Sequence, residues 1–442
     1  MSTRGSLAAA TLAIAAFVHS AHAQSRNDLP AYASSPTWTG FYLGGDIGAG
    51  AAFSRSTATL SGGPTTIVDG DAGGGIVASL HGGFDYQFMP QALAGVMVEG
   101  TWSSGIGSRS AQAPGVSASV STQPNLGLAL LARAGVLPTP SSLLYLTGGY
   151  AGQNFHSIGS ATAGGATTNI TTDNFFNGWT IGGGFESLLG GGWSTKLEYR
   201  FSQFESRALS LGVANATIQP FMHTARLGLT YRFGEGHDVA KQPAANTGQR
   251  NWTGIYGGVA GGAGVMTDKI SARFGPAAAS LDGGGQGLLG SVFVGGDYQV
   301  SDRLLVGALG DLTWPGMQSV VTAGGAISAT VTTHTDMAWT VGGRVGYLIT
   351  PSALLYALAG YTNQGFSTLG FAGNGATVFS SNDRLSGITV GPGLEFTIAK
   401  GWSTRMEYRY SSFETRTLAN GETIQPSMHT VRVGLAYRFG VN

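Results

Sequence analysis

The chain contains the same domain-sized unit twice, and this duplication limits its possible folds more than any other feature of the sequence. The motif WTGFY at residues 38–42 returns as WTGIY at 252–256, and GWSTKLEYRF at 192–201 returns as GWSTRMEYRY at 401–410. The offset between the copies falls from 214 residues at the start to 206 near the end. A unit of about 200 residues is too long for a solenoid repeat, so each copy is expected to fold as a domain.

An export signal and two polar stretches flank the repeats. Residues 1–23 contain Arg4, a short apolar stretch and the motif AHA at 21–23, a pattern that predicts a cleaved signal peptide. The apolar stretch covers residues 7–18, which is shorter than the roughly 20 residues that a membrane-spanning helix needs. The organisation that we expect is a signal peptide at 1–23, a periplasmic leader at 24–37, a first repeat at 38–234, a linker at 235–250 and a second repeat at 251–442.

The composition and the absence of known motifs exclude several classes of protein. The chain has 23 basic and 23 acidic residues, so its net charge is zero and it lacks the basic character expected of a nucleic-acid-binding protein. It has no cysteine, which excludes disulfides, thiolate metal sites and thiol nucleophiles. The motifs G-x-S-x-G, H-E-x-x-H and G-K-[ST] are absent. We therefore expect no catalytic, cofactor-binding or metal-binding residues and no nucleic-acid partner.

Each repeat shows alternating apolar and polar residues, which predicts half-buried β-strands. In residues 193–201, for example, Leu197 and Tyr199 fall on one face, and Lys196 and Glu198 fall on the other. The first repeat is expected to form eight strands, near residues 40–53, 76–88, 92–102, 126–137, 142–155, 176–188, 193–206 and 222–234.

The connections between the expected strands alternate between short turns and long loops. Residues 89–91 and 138–141 form short links, whereas 54–75, 103–125 and 156–175 are long and rich in Gly, Ser, Thr and Ala. Short turns on one side, long loops on the other and strands of about ten residues are typical of outer-membrane β-barrels. A soluble sandwich has no reason to separate its loop lengths in this way.

Aromatic residues lie at both ends of the expected strands, as in the two girdles that flank the apolar band of a membrane barrel. The girdle residues that we predict are Phe41, Trp102, Trp193, Phe201, Tyr231 and Phe233 in the first repeat and Trp314, Trp402, Tyr437 and Phe439 in the second. We also place Phe155 and Phe204 at the loop-side level of the first repeat.

The opening WTGFY strand, the LEYRF strand and the closing YRFG motif resemble those of small outer-membrane β-barrel proteins of alphaproteobacteria, the immunogenic porin-family proteins. These proteins are more distantly similar to the eight-stranded OmpA-type barrels. The resemblance covers nearly the whole chain after the signal peptide, twice, whereas the family usually has one copy. It implies an all-β, transmembrane antiparallel barrel in the cell outer membrane, in contact with lipid and lipopolysaccharide and inserted by the barrel-assembly machinery. It implies little about activity.

If the apolar face of each strand meets lipid, the charged residues face the barrel interior. The expected interior charges are Asp46, Asp85, Glu99, Arg133, Glu186, Lys196, Glu198, Arg200, Arg226 and Arg232 in the first repeat and Asp297, Asp311, Arg344, Glu395, Arg405, Glu407, Arg409, Arg432 and Arg438 in the second. Buried charges are costly unless they are paired, and side chains can fill an eight-stranded lumen, so we favour a plugged network of mutual pairs. The alternative is a lining that allows limited, porin-like passage of small solutes.

Two tandem eight-stranded barrels are the arrangement that we favour, because the linker at 235–250 is much longer than the other short-side turns. The alternative is one sixteen-stranded barrel, which would leave an aqueous channel and act as a general diffusion porin. A surface adhesin and an outer-membrane enzyme are further alternatives, although no arrangement of Ser, His and acid recurs in both copies. We expect a structural or surface role in the cell envelope, without catalysis.

Overall fold

The computed structural model describes residues 36–60, 65–105, 107–113, 116–163, 165–210, 214–234, 236, 251–274, 277–323, 329–372, 375–417 and 423–440. The predicted signal peptide lies outside these residues, as do most of the predicted leader and linker. Among the described residues, no helix has the length and apolar character needed to cross a membrane.

The first repeat forms a closed ring of eight antiparallel strands, two of which are interrupted. Its strands are β1 (Gly40–Leu60), β2 (Thr65–Met89), β3 (Ala92–Ser103), β4 (Gly107–Ala113), β5 (Val116–Thr139), β6 (Ser142–Ala163), β7 (Ala166–Gly190), β8 (Trp193–Phe204), β9 (Arg207–Ser210) and β10 (Ala214–Arg232). β4 continues β3 along β5, and β9 continues β8 along β10. The ring closes where β1 pairs with β10, with Tyr42 opposite Arg232.

The second repeat forms a second ring with the same order. Its strands are β11 (Gly254–Phe274), β12 (Ala277–Gln299), β13 (Leu304–Pro315), β14 (Gln318–Ala323), β15 (Ala329–Thr350), β16 (Ala353–Ala372), β17 (Thr377–Ala399), β18 (Trp402–Phe413), β19 (Arg416–Thr417) and β20 (Thr423–Arg438). The ring closes where β11 pairs with β20, with Tyr256 opposite Arg438. Because the first and last strands of each copy pair with each other, the chain forms two eight-stranded barrels, and the sixteen-stranded alternative is wrong.

The strands are longer than the sequence pattern predicts, and the extra length lies on the long-loop side. β1 and β2 remain paired as far as Thr59 and Thr65, so most of the loop expected at 54–75 is a β-hairpin. Likewise, β6 and β7 pair as far as Ala163 and Ala166, within the loop expected at 156–175. The expectation of loops is wrong because the two strands of such a hairpin pair through their backbones, and this pairing does not need apolar alternation in the sequence. Apolar alternation marks only strands with one buried face.

Side chains alternate between the interior and the outer wall along each strand. On β3, Met97 and Glu99 are buried inside the barrel, whereas the neighbouring Val96 and Val98 are more than half exposed on the outside. This alternation follows from the two-residue period of a strand, and it gives each barrel an apolar outer surface suited to lipid.

The two barrels pack side by side through a patch of outward-facing residues. This barrel–barrel patch consists of Phe185, Leu197 and Ala225 from the first barrel and Ala353, Leu394, Phe396, Met406, Tyr408 and Val431 from the second. The ring centroids of Phe185 and Phe396 are 5.2 Å apart. The three residues of the first barrel are equivalent in sequence to Leu394, Met406 and Val431 of the second. The same surface of both copies therefore meets in the patch, as in the two-fold interface of a homodimer.

The described parts of the long hairpins also join the barrels on the loop side. Asp71 of β2 pairs with Gly283 of β12, and these positions are 212 residues apart, as are the equivalent Asp85 and Asp297. In addition, β4 pairs with β12, and β14 pairs with β2. These two junctions exchange equivalent strands, so the two-fold pattern of the patch continues beyond the barrel walls.

Candidate functional site

The short-turn end of each barrel is closed by a buried tryptophan, which we call the tryptophan cap. The Trp38 side chain has no solvent exposure, and its Nε1 donates a hydrogen bond to the Pro140 carbonyl oxygen at 3.0 Å. The Arg232 guanidinium lies 4.6 Å from the ring centroid, a distance at which the ring face attracts a cation. Trp252 takes the same position in the second barrel, with Arg438 at 5.3 Å from its ring.

Above the cap of the first barrel, two arginines and two acids form a closed set of ion pairs. Arg133 lies 2.7 Å from Glu186 and 3.3 Å from Asp85. Arg232 lies 3.0 Å from each of the same two acids. All four side chains are buried. Each charge has two partners of opposite sign, which is the condition under which a protein interior tolerates ions.

The second barrel repeats this closed set with small changes in distance. Arg344 lies 2.6 Å from Asp297 and 2.8 Å from Glu395. Arg438 lies 2.7 Å from Asp297 and 3.9 Å from Glu395. Both copies therefore fill this level of the lumen with paired side chains.

The next level of the first barrel is centred on two glutamates. Glu99 accepts hydrogen bonds from Arg200, at 2.7 Å, and from Arg226. Glu198 accepts a hydrogen bond from Arg200 and another from the Tyr145 hydroxyl at 2.6 Å. A continuous set of hydrogen-bonded side chains therefore crosses the lumen from strand to strand.

The corresponding level of the second barrel is built on a shorter acid. Asp311 lies 2.6 Å from Arg409 and 3.2 Å from Arg432. Glu407 accepts hydrogen bonds from Arg409 and, at 2.8 Å, from the Tyr356 hydroxyl. Asp311 takes the place of Glu99, and its side chain is one methylene shorter.

The first barrel contains one further cluster, around Asp46. The Asp46 carboxylate lies 3.2 Å from Lys196 Nζ and 3.3 Å from His81 Nδ1, and it accepts a hydrogen bond from Ser79 at 3.1 Å. The equivalent residues of the second barrel are Ala260, Arg405, Phe293 and Ser291. The two copies therefore share the same barrel wall but differ in the charged residues inside it.

The Asp46 cluster has the residue types of a metal site but not its electrostatics. Potential ligand atoms of Asp46, His81 and Glu99 lie within 4.8 Å of one another. However, the Lys196 ammonium already lies beside Asp46. Glu99 is already paired with Arg200 and Arg226. A metal ion would meet three cations there, so this arrangement fits a network of ion pairs.

The long-loop end of each lumen is closed by an apolar plug. In the first barrel the plug consists of Ala151, Phe155, Phe176, Phe204 and Met222, and in the second of Met266, Met317, Phe366, Leu385, Phe413 and Met428. Phe155 contacts Phe176 and Phe204 edge to face, with ring centroids 5.4 and 5.6 Å apart. The expectation that Phe155 and Phe204 belong to the outer girdle is wrong. Phe204 lies three positions after the outward-facing Phe201, and an odd step along a strand leads to the opposite face.

The structure places the predicted charge and girdle residues on opposite faces of the wall. Every predicted interior charge is buried. Nine of the ten predicted girdle residues are exposed on the outside, and Phe201 is half-buried and packs against Phe221 and His223.

Sequence reasoning missed the side chains that close the lumen and the aromatic groups that contact the charges. Trp38, Tyr42, Tyr145 and their equivalents lie inside, and His81 belongs to the Asp46 cluster. For Tyr42 and His81 a signal exists, since each lies four positions from a charged interior residue of its own strand, Asp46 and Asp85 respectively. The sequence of β6 contains no Asp, Glu, Lys or Arg, so Tyr145 has no such signal. Trp38 precedes β1, so strand periodicity carries no information about it.

The apolar outer surface, the aromatic residues at its margins and the charged, filled interior define a transmembrane β-barrel of the outer-membrane type. The chain belongs to the family described as the outer membrane protein beta-barrel domain, whose model matches residues 8–233 and again residues 239–439. The resemblance found in the sequence is therefore confirmed, and the protein is located in the outer membrane.

Two curated relatives and two solved structures illustrate the similarity. The chain is 29% identical over 203 residues to the 31 kDa outer-membrane immunogenic protein of Brucella melitensis, which is 45% of this chain and 84% of the relative. The same values hold for the protein of that name from Brucella suis. Ail, the attachment invasion locus protein of Yersinia pestis, matches 42% of this chain and 99% of its own, at 15% identity and a TM-score of 0.24. The TodX monoaromatic hydrocarbon channel matches 92% of this chain and 94% of its own, at 10% identity and a TM-score of 0.27.

Proposed function

We propose that this protein is a closed structural and surface protein of the outer membrane, which carries long β-hairpins on its outer side and does not act as a diffusion pore. The observation that carries this proposal is that both lumens are filled along their length. A tryptophan cap, two levels of paired charges and an apolar plug follow one another in each barrel.

Opening a path for solutes would require separating buried ion pairs. Removing one partner of such a pair costs about 3–5 kcal/mol, and a continuous path crosses several of them. The limited, porin-like passage that an interior lined with charge could offer is therefore disfavoured relative to a closed barrel.

The outer surface and the hairpins determine the partners that we propose. Lipid and lipopolysaccharide contact the apolar wall, and the barrel-assembly machinery inserts the chain. The zero net charge argues against a nucleic-acid partner. We further propose that the protein is not an enzyme. The relatives are outer-membrane barrel proteins that are not named as enzymes, and His223 is engaged by Tyr199 and by Gln286 of the other barrel.

Liposome swelling tests the closed state. The full chain, refolded into liposomes, is expected to cause no swelling in arabinose or in larger sugars, whereas a general diffusion porin treated in the same way causes rapid swelling. Folding is checked in the same sample by the faster migration of unheated protein in a denaturing gel. Swelling in arabinose at a rate near that of the porin, by protein that passes this check, would refute the proposal.

A further inference from the structure

The charges inside the two barrels do not balance in the same way. The first barrel encloses five acids and five bases, namely Asp46, Asp85, Glu99, Glu186 and Glu198 with Arg133, Lys196, Arg200, Arg226 and Arg232. The second also encloses five acids and five bases, but one of its acids, Asp268, lies on the loop side of the plug residue Met266. Below the plug it has four acids and five bases, namely Asp297, Asp311, Glu395 and Glu407 with Arg344, Arg405, Arg409, Arg432 and Arg438. The part of the second interior below the plug therefore carries one positive charge that these four acids do not neutralise.

The excess charge arises where Ala260 replaces Asp46. Arg405, the equivalent of Lys196, is 3% exposed, and among the described residues its guanidinium has no ion pair. Its Nη1 has no hydrogen-bond partner there, although the guanidinium lies 3.4 Å from the Phe293 ring centroid. The aromatic face stabilises the cation in part, but it supplies no negative charge.

A second difference between the barrels concerns a hydrogen bond that, among the described residues, the first barrel has and the second lacks. In the first barrel Arg226 Nε donates a hydrogen bond to Thr224 Oγ1 at 3.3 Å. In the part of the second barrel that the structure describes, the equivalent Arg432 Nε and Thr430 Oγ1 are both without partners. Both residues are at least nine-tenths buried. Such unsatisfied donors in a protein interior call for a ligand or a water molecule.

Arg432 and Thr430 line a chamber that lies below the apolar plug of the second barrel. The chamber is lined by six hydroxyl groups, including those of Thr340, Thr389 and Thr430, and by the guanidinium groups of Arg409 and Arg432. No carboxylate is among the lining residues, and there is room for about one water-sized particle. Phe413 and Met428 of the plug belong to the lining on the loop side.

We propose that this chamber binds one small monovalent anion, of the size of a halide, beside Arg432. The anion accepts hydrogen bonds from Arg432 Nε and from the Thr430 hydroxyl, and it offsets the excess positive charge below the plug. Arg405 does not line this chamber, but it borders an adjoining space whose lining also includes Arg409 and Arg432. A water molecule would satisfy the donors but would leave the charge. The apolar plug excludes bulk water, and electrostatic attraction is stronger in such an environment than in solution.

Bromide is the probe, because its position can be recorded by anomalous scattering from crystals of the full chain. One bromide peak is expected beside Arg432 and none at the equivalent place in the first barrel. The variant Thr430→Val removes one hydroxyl donor without changing the volume, and bromide should bind roughly tenfold or more weakly, since a hydrogen bond to a charged group is lost. The matched control is Thr224→Val in the first barrel, which should leave binding unchanged.

The variant Ala260→Asp/Phe293→His rebuilds the Asp46 cluster in the second barrel and should abolish the bromide peak. In solution, the wild type should unfold at a higher temperature in sodium bromide than in sodium gluconate of equal ionic strength, and this variant should not. If the double variant fails to fold, the comparison of Thr430→Val with Thr224→Val decides whether bromide binds in this chamber. A chamber that holds only water in bromide, equal peaks in both barrels, or equal binding by these two threonine variants would overturn the proposal.

Discussion

Replacement of Asp46 by alanine is expected to destabilise the first barrel strongly. Asp46 is 3% exposed, and its carboxylate is the nearest acidic group to Lys196 Nζ, at 3.2 Å. In Asp46→Ala the ammonium remains buried with only Glu198, at 4.0 Å, within ion-pair distance. Ser79 also loses its acceptor. Leaving one charge of a buried pair without its partner costs about 3–5 kcal/mol, so the free energy of unfolding should fall by that amount.

Urea unfolding of the refolded full chain in detergent measures this change. The unheated gel band and the tryptophan fluorescence report the folded fraction. The free energy of unfolding is extrapolated to zero urea, and its slope against urea concentration is compared between the variant and the wild type. Each barrel closes on itself, so we expect two unfolding steps, and the transition that moves in Asp46→Ala identifies the first barrel. The second transition serves as the internal control within the same sample.

A double variant separates the charge effect from the loss of packing. Asp46→Ala/Lys196→Met removes both charges and replaces the ammonium by an apolar group of similar length, a change that is often neutral or stabilising. It should recover most of the lost free energy. The reasoning is refuted if Asp46→Ala unfolds within about 1 kcal/mol of the wild type, which is below the cost of an unpaired buried charge. It is also refuted if the double variant is no more stable than the single one.

Three further predictions use the same unfolding measurement or a simple separation. Leu80 is 73% exposed on the outer wall, and Leu80→Arg should cost about 2–4 kcal/mol if the residue lies near the bilayer midplane; a change below 1 kcal/mol would contradict its placement against lipid. Trp38→Ala should cost about 3–5 kcal/mol through the cavity that it leaves, whereas Phe233→Ala, on the outer girdle, should cost clearly less. The Phe185–Phe396 contact should contribute about 0.5–1.5 kcal/mol to the association of the barrels. After proteolysis at a site inserted in the linker, the wild-type halves should therefore stay together on size exclusion, whereas Phe185→Ala/Phe396→Ala halves should separate more readily; equal behaviour would count against the patch.

The wall of each barrel could be predicted from the sequence, because a strand has a two-residue period. Once Leu197 and Tyr199 are assigned to the outer face, Lys196 and Glu198 must face inward, and the structure has them there. The repeat then carries the same assignment to the second copy. Which acid pairs with which base could not be predicted in this way. The pair formed by Arg232 and Glu186 crosses the lumen between strands that are not neighbours.

The barrel–barrel patch left no signal in the sequence. Leu394 and Phe396 are apolar residues on an outward face, and the same composition suits contact with lipid or with another barrel. The long hairpins were missed for a related reason, since the segments expected to be loops show no apolar alternation in the sequence. Phe204, in contrast, was assigned to the wrong face, although its odd spacing from Phe201 already indicates the interior.

Single-channel recording in a planar lipid bilayer tests the central claim most directly, which is that both lumens are closed. The refolded full chain, shown to be folded by its gel mobility, should insert without producing steady current steps in molar salt. Stable openings of nanosiemens size from such a sample would contradict the filled interiors and the function proposed from them.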